Sequence, residues 1–255
     1  MANYRRQLYR CRRHVSERAS QSPSQPYTVL AIYAGQRLSF RTVFSLGQTM
    51  TKPFQFQANN VSVEKRETVF QGFFRMDKLW LSHPRFDGRT MPTFTRELFV
   101  RGDATCVLPY DPQRDQVVLI EQFRLGAIGR NQSPWLLELV AGMNEEGENP
   151  EDVAHREADE EAGLSFKRLD PICSYLVSPG GTTEMIYLYY GEINSANAGG
   201  LFGLEYENED IRAHVLAAED AIAMIKDGRI NNAAAIIALQ WLELNRPRLR
   251  EGMNR

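Results

Sequence analysis

Three glutamates in the middle of the chain carry its clearest chemical signal. Glu157, Glu160 and Glu161 stand at i, i+3 and i+4 of a segment that predicts a helix, so their carboxylates share one face. Like charges at this spacing repel, and these lie in the last turns, next to the negative end of the helix dipole. An arrangement that opposes local stability is typical of a functional site. Because Mg²⁺ prefers oxygen ligands from carboxylates and phosphates, the pattern predicts a Mg²⁺ site, with Mn²⁺ as a substitute.

A solvated acidic face is the alternative interpretation, and for a bare acidic helix it is the commoner one. The surrounding residues argue against it here. The segment from residue 142 to 164 reads GMNEEGENPEDVAHREADEEAGL, in which Gly142, Glu148, Arg156 and Gly163 stand at fixed distances from the glutamates. Seven such identities would coincide by chance on the order of 10⁻⁹ times per window. Arg156 is also placed to hold one of the carboxylates.

This segment resembles the Nudix box, G-x5-E-x7-R-E-U-x-E-E-x-G-U, in which U is a bulky aliphatic residue. Every fixed position matches, and only Ala158 is small for its U position. Pro179 lies sixteen residues beyond Gly163, as in Nudix enzymes that act on ADP-ribose. From about Val61 to Arg248 the chain is similar to bacterial ADP-ribose pyrophosphatases, for example in RELFVRG, LLELVAGM and ENEDIRAHV. The resemblance implies a homodimer that hydrolyses the pyrophosphate bond of ADP-ribose, or of a related nucleoside diphosphate sugar, to AMP and ribose 5-phosphate.

The resemblance also implies roles for individual residues. The backbone carbonyl of Ala141 would bind the metal with Glu157 and Glu161, and Glu209 would reach a metal as well. Glu207 would be the general base, in a catalytic group with Arg156 and Glu160; Glu160, Glu184 and Glu205 are the alternative bases. Substrate-binding residues would be Phe73, Phe74, Arg96, Glu97, Arg101, Arg124, Met143, Ser178, Pro179, Gly180 and Glu184, of which some in the N-terminal group would reach the other subunit.

Several of these assignments have an ordinary structural alternative. Arg96 and Arg124 fit strand-edge cations equally well, and Gly180 can belong to a simple turn. Phe73 and Phe74 are adjacent, so in a strand they would face opposite sides and one would enter the core. The acidic residues near Glu207 can be loop solvation.

The hydrophobic pattern predicts the elements that position these residues. Strands are expected in VSVEKRETVFQGFF, KLWLSH, FTRELFVRG, TCVLPYD, DQVVLIEQFR, WLLELVAGM, ICSYLVS, MIYLYYGEI and IRAHVLA. Asn149, Pro150 and Gly163 predict the two ends of the helix that carries the glutamates. AEDAIAMIK and NAAAIIALQWLELN predict two more helices, the second stopped by Pro247. The order predicts an α+β fold, and the resemblance implies a Nudix-type α/β/α sandwich with a mixed sheet, preceded by an N-terminal antiparallel β segment.

Charge separates a basic leader from the rest of the chain, and three regions are expected in all. Residues 1–49 hold eight Arg and one acidic residue, Glu17, which fits a transit peptide, a disordered basic arm or a leader upstream of a natural start at Met50. We favour the start at Met50. Residues 50–103 are expected to form the β segment, in a dimer interface, and residues 104–255 the Nudix hydrolase domain.

The composition excludes other classes. A net charge of −2 gives no bulk attraction to nucleic acid or membrane, and no apolar run approaches the roughly 18 residues of a membrane span. The three cysteines form no C-x-x-C pair, which favours reduced thiols and a cytoplasmic protein, or a mitochondrial one if the leader is a transit peptide. The rival functions are a pyrophosphatase for another nucleotide sugar such as GDP-mannose, a non-catalytic Nudix-fold ligand sensor, and a nucleic-acid binder that uses the basic leader.

Overall fold

The computed structural model describes residues 55–130, 133–204, 206 and 208–251. The basic leader, the expected start at Met50, Glu205 and Glu207 lie outside the described residues. The strands are β1 (Ser62–Gln71), β2 (Arg75–Ser82), β3 (Phe94–Val100), β4 (Ala104–Asp111), β5 (Gln116–Phe123), β6 (Trp135–Glu138), β7 (Val140–Met143), β8 (Arg168–Leu176), β9 (Met185–Glu192), β10 (Gly200–Phe202) and β11 (Ile211–Ala217). The helices are α1 (Pro150–Ala162), α2 (Ala218–Lys226) and α3 (Ala233–Glu251). None of the described helices is long and apolar enough to span a membrane.

The strands form two sheets. β1, β2 and β3 make an antiparallel sheet of three strands. The main sheet has eight strands in the order β10-β11-β5-β4-β9-β8, with β6 paired to β5 and β7 paired to β4. In the main sheet the β4–β9 pair is parallel and the other pairs are antiparallel, so this sheet is mixed, as expected.

Helices cover both faces of the main sheet. On β5, Val118 and Ile120 pack with Ala158 and Ala162 of α1. The alternate residue Leu119 faces the opposite side, in the core cluster formed with α2 and α3. Alternation along the strand therefore supplies apolar side chains to two cores. The expected α+β sandwich with a mixed sheet and an N-terminal antiparallel β segment is confirmed.

Local signals fix both ends of α1. The side chain of Asn149 accepts a hydrogen bond from the backbone N–H of Glu151 at 3.3 Å, and Pro150 occupies the first turn. Gly163 ends the helix with φ of +59°, a left-handed conformation that favours glycine. The predicted helix is confirmed, and Glu157, Glu160 and Glu161 lie in its second half.

Two expectations about regular structure were wrong. WLLELVAGM is two strands, because the chain leaves β5 after Glu138 and joins β4 from Val140 onward. Pro247 does not stop the last helix, which continues to Glu251 although proline removes a hydrogen-bond donor from its interior. Beyond the proline, Arg250 bonds Asp115 at 2.7 Å, and Arg246 bonds the same carboxylate from the preceding turn. These contacts hold the last turn in place.

The N-terminal sheet is tied to the loop between β8 and β9. The backbone of Phe99 donates to the carbonyl of Gly181 at 2.8 Å and accepts from the N–H of Thr183 at 3.1 Å. The hydroxyl of Thr183 also bonds the backbone of Arg101. This junction sets the position of Arg101 and the loop that contains Pro179.

Candidate active site

A cavity of about 670 Å³ opens beside the second half of α1. Strand β7, the end of β6, the end of β8, the beginning of β9 and the beginning of α3 also contribute to its wall. Nine of the residues expected at the site line this cavity: Arg101, Arg124, Ala141, Met143, Arg156, Glu157, Glu160, Glu184 and Glu209. The fold therefore brings together residues that are more than a hundred positions apart in the chain.

Arg156 is the centre of the carboxylate cluster. Its Nη1 lies 2.6 Å from Glu157 and 3.2 Å from Glu160, while its Nε donates to Glu148 at 3.4 Å. Burial opposes the charge of Arg156, but Glu157 and Glu148 outweigh it and raise the pKa of the guanidinium. Arg156 thus holds the glutamates in place and offsets part of their repulsion.

The position of the Glu157 carboxylate leaves no room for a side chain at Gly142. A Cβ atom on Gly142 would overlap the Glu157 carboxylate. Since the glycine has no side chain, that carboxylate can lie directly against the β7 backbone.

Glu161 is the most enclosed member of the cluster. Only 2% of its surface is exposed, and its Oε2 accepts a hydrogen bond from the N–H of Ala141 at 2.8 Å. Burial, with smaller contributions from Glu157 and Glu209, raises the pKa of Glu161 well above its ordinary value. Burial likewise raises the pKa of Glu157, although Arg156 opposes it. The protein alone leaves part of this negative charge uncompensated.

The donors in this cluster suit a hard divalent cation. They are the carboxylates of Glu157, Glu161 and Glu209 together with the backbone at Ala141, all oxygen ligands of the kind that Mg²⁺ prefers. Among the described residues, no three His, Cys, Asp or Glu side chains are already gathered as a metal-binding group. The uncompensated charge and the all-oxygen donor set nevertheless fit such an ion.

Two further arginines reach the cavity in ion pairs. Arg101 lies 3.1 Å from Glu184 and stacks over the ring of Phe74 at 5.1 Å. Burial raises the pKa of Glu184, while Arg101 opposes that shift. Arg124 donates to Glu138 at 2.7 Å. These arginines provide positive charge on the wall of the same cavity as Glu157 and Glu160.

The two adjacent phenylalanines do not lie in a strand, which corrects that interpretation. Phe73 and Phe74 form the connection between β1 and β2, with their rings edge to face at 4.7 Å. Phe73 is 82% exposed, whereas Phe74 is half-buried against Phe99. Because both residues lie between the two strands, their rings are not held on opposite faces of a strand.

The remaining residues expected at the site do not line the cavity within one chain. On β3, Arg96 stacks over Phe94 at 4.6 Å, and Glu97 is exposed. Ser178, Pro179 and Gly180 form an exposed turn, closed by a hydrogen bond from the N–H of residue 181 to the Ser178 carbonyl at 3.0 Å. Their roles in binding remain predictions.

Sequence reasoning missed several residues of the cavity wall. Glu138 follows the short run WLL, and its role depends on the strand switch that the pattern did not predict. Cys106 lies on β4 and Tyr175 on β8. These strands are distant in the chain, and only the folded sheet brings both residues to one cavity wall. Asn232, the first residue of the predicted helix NAAAIIALQWLELN, caps α3 by accepting from the N–H of Ala235 at 3.1 Å, but its place in the cavity wall was not expected.

Comparisons with known proteins agree with the site. The family profile described as NUDIX domain matches residues 100–239. The chain is 50% identical to the ADP-ribose pyrophosphatase of Escherichia coli (strain K12) over 198 residues, which are 78% of this chain and 95% of that protein. Identity to the ADP-ribose pyrophosphatase of Haemophilus influenzae (strain ATCC 51907 / DSM 11121 / KW20 / Rd) is 44% over 209 residues, 81% of this chain and 96% of that one.

More distant relatives widen the comparison. The GDP-mannose pyrophosphatase of Escherichia coli O1:K1 / APEC is 31% identical over 189 residues, 72% of this chain and 96% of that protein. A solved structure described as an ADP compounds hydrolase superposes with a TM-score of 0.55 at 19% identity, covering 72% of this chain and 95% of that one. At this identity the superposition shows the fold alone.

Proposed function

The chain belongs to the Nudix family, and from that premise we propose that it hydrolyses the pyrophosphate bond of ADP-ribose to AMP and ribose 5-phosphate with bound Mg²⁺. The observation that carries the chemistry is a single cavity lined by Glu157 and Glu160 and by Arg101 and Arg124. A pyrophosphate carries negative charge that must be neutralised before water attacks, and a metal held by the glutamates together with the two arginines would supply that neutralisation. The relatives named ADP-ribose pyrophosphatases support the choice of substrate.

The metal ligands proposed are Glu157, Glu161 and the backbone carbonyl of Ala141, with Glu209 as a further ligand. A bound divalent ion would neutralise phosphate charge and make a bound water more acidic. Glu157 and Glu161 are suited to this role because they lie four residues apart on one face of α1, and the Oε2 of Glu161 accepts from the N–H of Ala141, next to the proposed carbonyl ligand. The choice of Mg²⁺ over other ions, with Mn²⁺ as the substitute, rests on the all-oxygen donor set.

The protein's own residues then have separate tasks. Arg124 and Arg101 contact the phosphates, and Arg156 keeps the glutamates oriented through its three ion pairs. Glu207 takes the proton of the attacking water; it remains a proposal taken from the resemblance. Glu160 is one-third exposed in the cavity wall and is the first alternative for that task.

A substrate panel with product identification tests the function. Purified protein is assayed with Mg²⁺ on ADP-ribose, GDP-mannose and other nucleoside diphosphate sugars, and kcat/KM is compared. The proposal expects the highest value for ADP-ribose. A higher value for GDP-mannose would transfer the assignment to the rival substrate that the 31% identical relative suggests. No turnover of any diphosphate would leave the ligand-sensor alternative.

We also propose that the protein is a homodimer that uses the N-terminal sheet. All ten residues of β1 are exposed, among them Val63, Val69 and Phe70, and Phe73 beyond the strand is 82% exposed. An exposed apolar edge strand is a surface that native proteins normally cover. Light scattering should give twice the monomer mass, and a variant with Val69→Lys and Phe70→Lys should give the monomer. A wild-type monomer would remove the cross-subunit roles of Phe73 and Arg96.

A further inference from the structure

The three arginines that line the cavity are paired with carboxylates in different ways. Arg156 uses Nε and both terminal nitrogens on glutamates. Arg101 uses a terminal nitrogen on Glu184. Arg124 instead donates through Nε to Glu138 at 2.7 Å, and no described residue accepts from its terminal nitrogens. Within the described part of the chain, the terminal nitrogens of Arg124 are therefore available to a ligand.

Arg124 and Glu138 belong to one β-hairpin, which fixes their separation. Arg124 directly follows β5, and its backbone N–H bonds the carbonyl of Pro134 at 2.8 Å. Glu138 is the last residue of β6 and pairs with Ile120 of β5. The side chain of Glu138 is only 15% exposed, against 44% for Arg124. A nearly buried acceptor thus holds a guanidinium that extends into the cavity.

The negative charge of Glu138 is unexpected in a cavity that binds an anionic substrate. By itself Glu138 would weaken pyrophosphate binding through like-charge repulsion. Fixing a long arginine side chain costs conformational entropy, and a partner that fixes it before the ligand arrives removes that cost from binding. When Nε is occupied, the two terminal nitrogens of a guanidinium remain available for a bidentate contact with phosphate.

We propose that Glu138 is a positioning residue, which holds Arg124 so that its terminal nitrogens face the pyrophosphate of the substrate. This inference rests on the proposed function. It adds to that function that the Glu138–Arg124 pair contributes to the affinity for the diphosphate of the substrate.

The proposal is tested by whether Glu138→Ala weakens or strengthens binding of the substrate and of its analogue. Loss of positioning should lower kcat/KM by about 3- to 10-fold, mainly through KM, and weaken binding of a non-hydrolysable ADP-ribose analogue by the same factor. Glu138→Gln, which keeps a neutral acceptor, should lie between Glu138→Ala and the wild type. If the carboxylate only repels the substrate, both variants would bind the analogue more tightly than the wild type, and the proposal would be overturned. A lower melting temperature with unchanged KM and affinity would also overturn it.

A double-mutant cycle with Arg124→Ala separates positioning from direct contact. In the Arg124→Ala background, Glu138→Ala should cause no further loss of affinity for the analogue. An equal loss in both backgrounds would mean that Glu138 contacts the ligand itself, which contradicts the proposal. The control is Glu121→Gln, which removes the same charge from β5, where Glu121 bonds His214 at 2.8 Å outside the cavity wall. It should stay within about twofold of the wild type.

The proposed function and the positioning role of Glu138 can fail separately. Wild-type protein that binds the analogue but does not turn over ADP-ribose would contradict the proposed function, and the binding cycle would still test Glu138. Wild-type protein that turns over ADP-ribose, with Glu138→Ala unchanged in KM and in affinity, would overturn only the positioning role.

Discussion

The buried negative charge of the Glu161 carboxylate lowers the stability of the folded protein. It is 2% exposed in the last turn of α1, one residue before the helix ends at Ala162. Burial, and then Glu157 and Glu209, disfavour its charged form and raise its pKa. Glu161→Gln retains the shape and the acceptor for the Ala141 N–H and removes only the charge. We therefore expect this variant to be more stable and much less active.

The expected gain in stability has two parts that the geometry defines. Glu157 and Glu161 are four residues apart on one helix, and removing such a repulsion is worth about 0.2–0.5 kcal/mol. Removing a negative charge from the last turn of a helix is worth about 0.3–1 kcal/mol. Together they predict roughly 0.5–1.5 kcal/mol, or a rise in Tm of about 1–6 °C for a domain of this size. Relief from burial acts in the same direction.

The pH dependence of this gain has a definite sign. An acid whose pKa is raised on folding destabilises the native state as pH increases above its ordinary value of 4.5, until the raised pKa is passed. Below that ordinary value, both folded and unfolded wild type hold the proton and there is no electrostatic difference to remove. In EDTA the variant and the wild type should therefore differ little at about pH 4 and most at about pH 8.

The assay combines thermal unfolding in EDTA with kcat for ADP-ribose in saturating Mg²⁺. Loss of a metal ligand should lower kcat by roughly 10²–10⁴-fold, since the ion is worth several kcal/mol in the transition state. The matched control is Asp159→Asn, an exposed residue of the same last turns, which shares the dipole relief and should keep its kcat. A destabilised Glu161→Gln with near wild-type kcat would refute the reasoning.

Three further predictions address the geometry around the site and the core. Gly142→Ala should lower kcat/KM by about 10²-fold, because the new Cβ displaces the Glu157 carboxylate; kinetics within twofold of the wild type would contradict this. Burial opposes the charge of Asp111, but hydrogen bonds from Ser195 outweigh it and lower the pKa of Asp111 to about 2. The folding stability that this carboxylate contributes is therefore fully present above pH 3.8 and is lost as pH falls through about 2. Asp111→Asn should cost about 2 kcal/mol in urea unfolding at neutral pH, and a cost under about 0.5 kcal/mol would be incompatible with it. Glu207→Gln should bind Mg²⁺ and ADP-ribose as the wild type does but lose roughly 10²–10⁴ in kcat; rescue by added Mg²⁺ would make Glu207 a ligand instead.

The sequence predicted those parts of the fold whose cause is local. The ends of α1 follow from Asn149 and Gly163, which act within one turn of the backbone. The division of WLLELVAGM depends on which neighbouring strand each half joins, and that partner is distant in the chain. The passage of α3 through Pro247 depends on Asp115, more than a hundred residues earlier. Such tertiary contacts have no signature in a single stretch of sequence.

The same distinction holds for the site. The carboxylates of α1 and Arg156 were predicted from fixed spacing within one helix. Arg101, Arg124 and Glu184 were expected only from the resemblance, and the structure places them on the same cavity. Glu138 was not predicted, because its importance comes from the partner that the hairpin gives it.

The proposed hydrolysis is best tested by identifying the products that the wild type forms from ADP-ribose with Mg²⁺ in isotopically labelled water. We expect AMP and ribose 5-phosphate in equal amounts, with the label in a phosphate group of one product, and no reaction in EDTA. Release of adenine, or of ADP and free ribose, would place the cleaved bond outside the pyrophosphate. Full turnover in EDTA would contradict the metal site on α1.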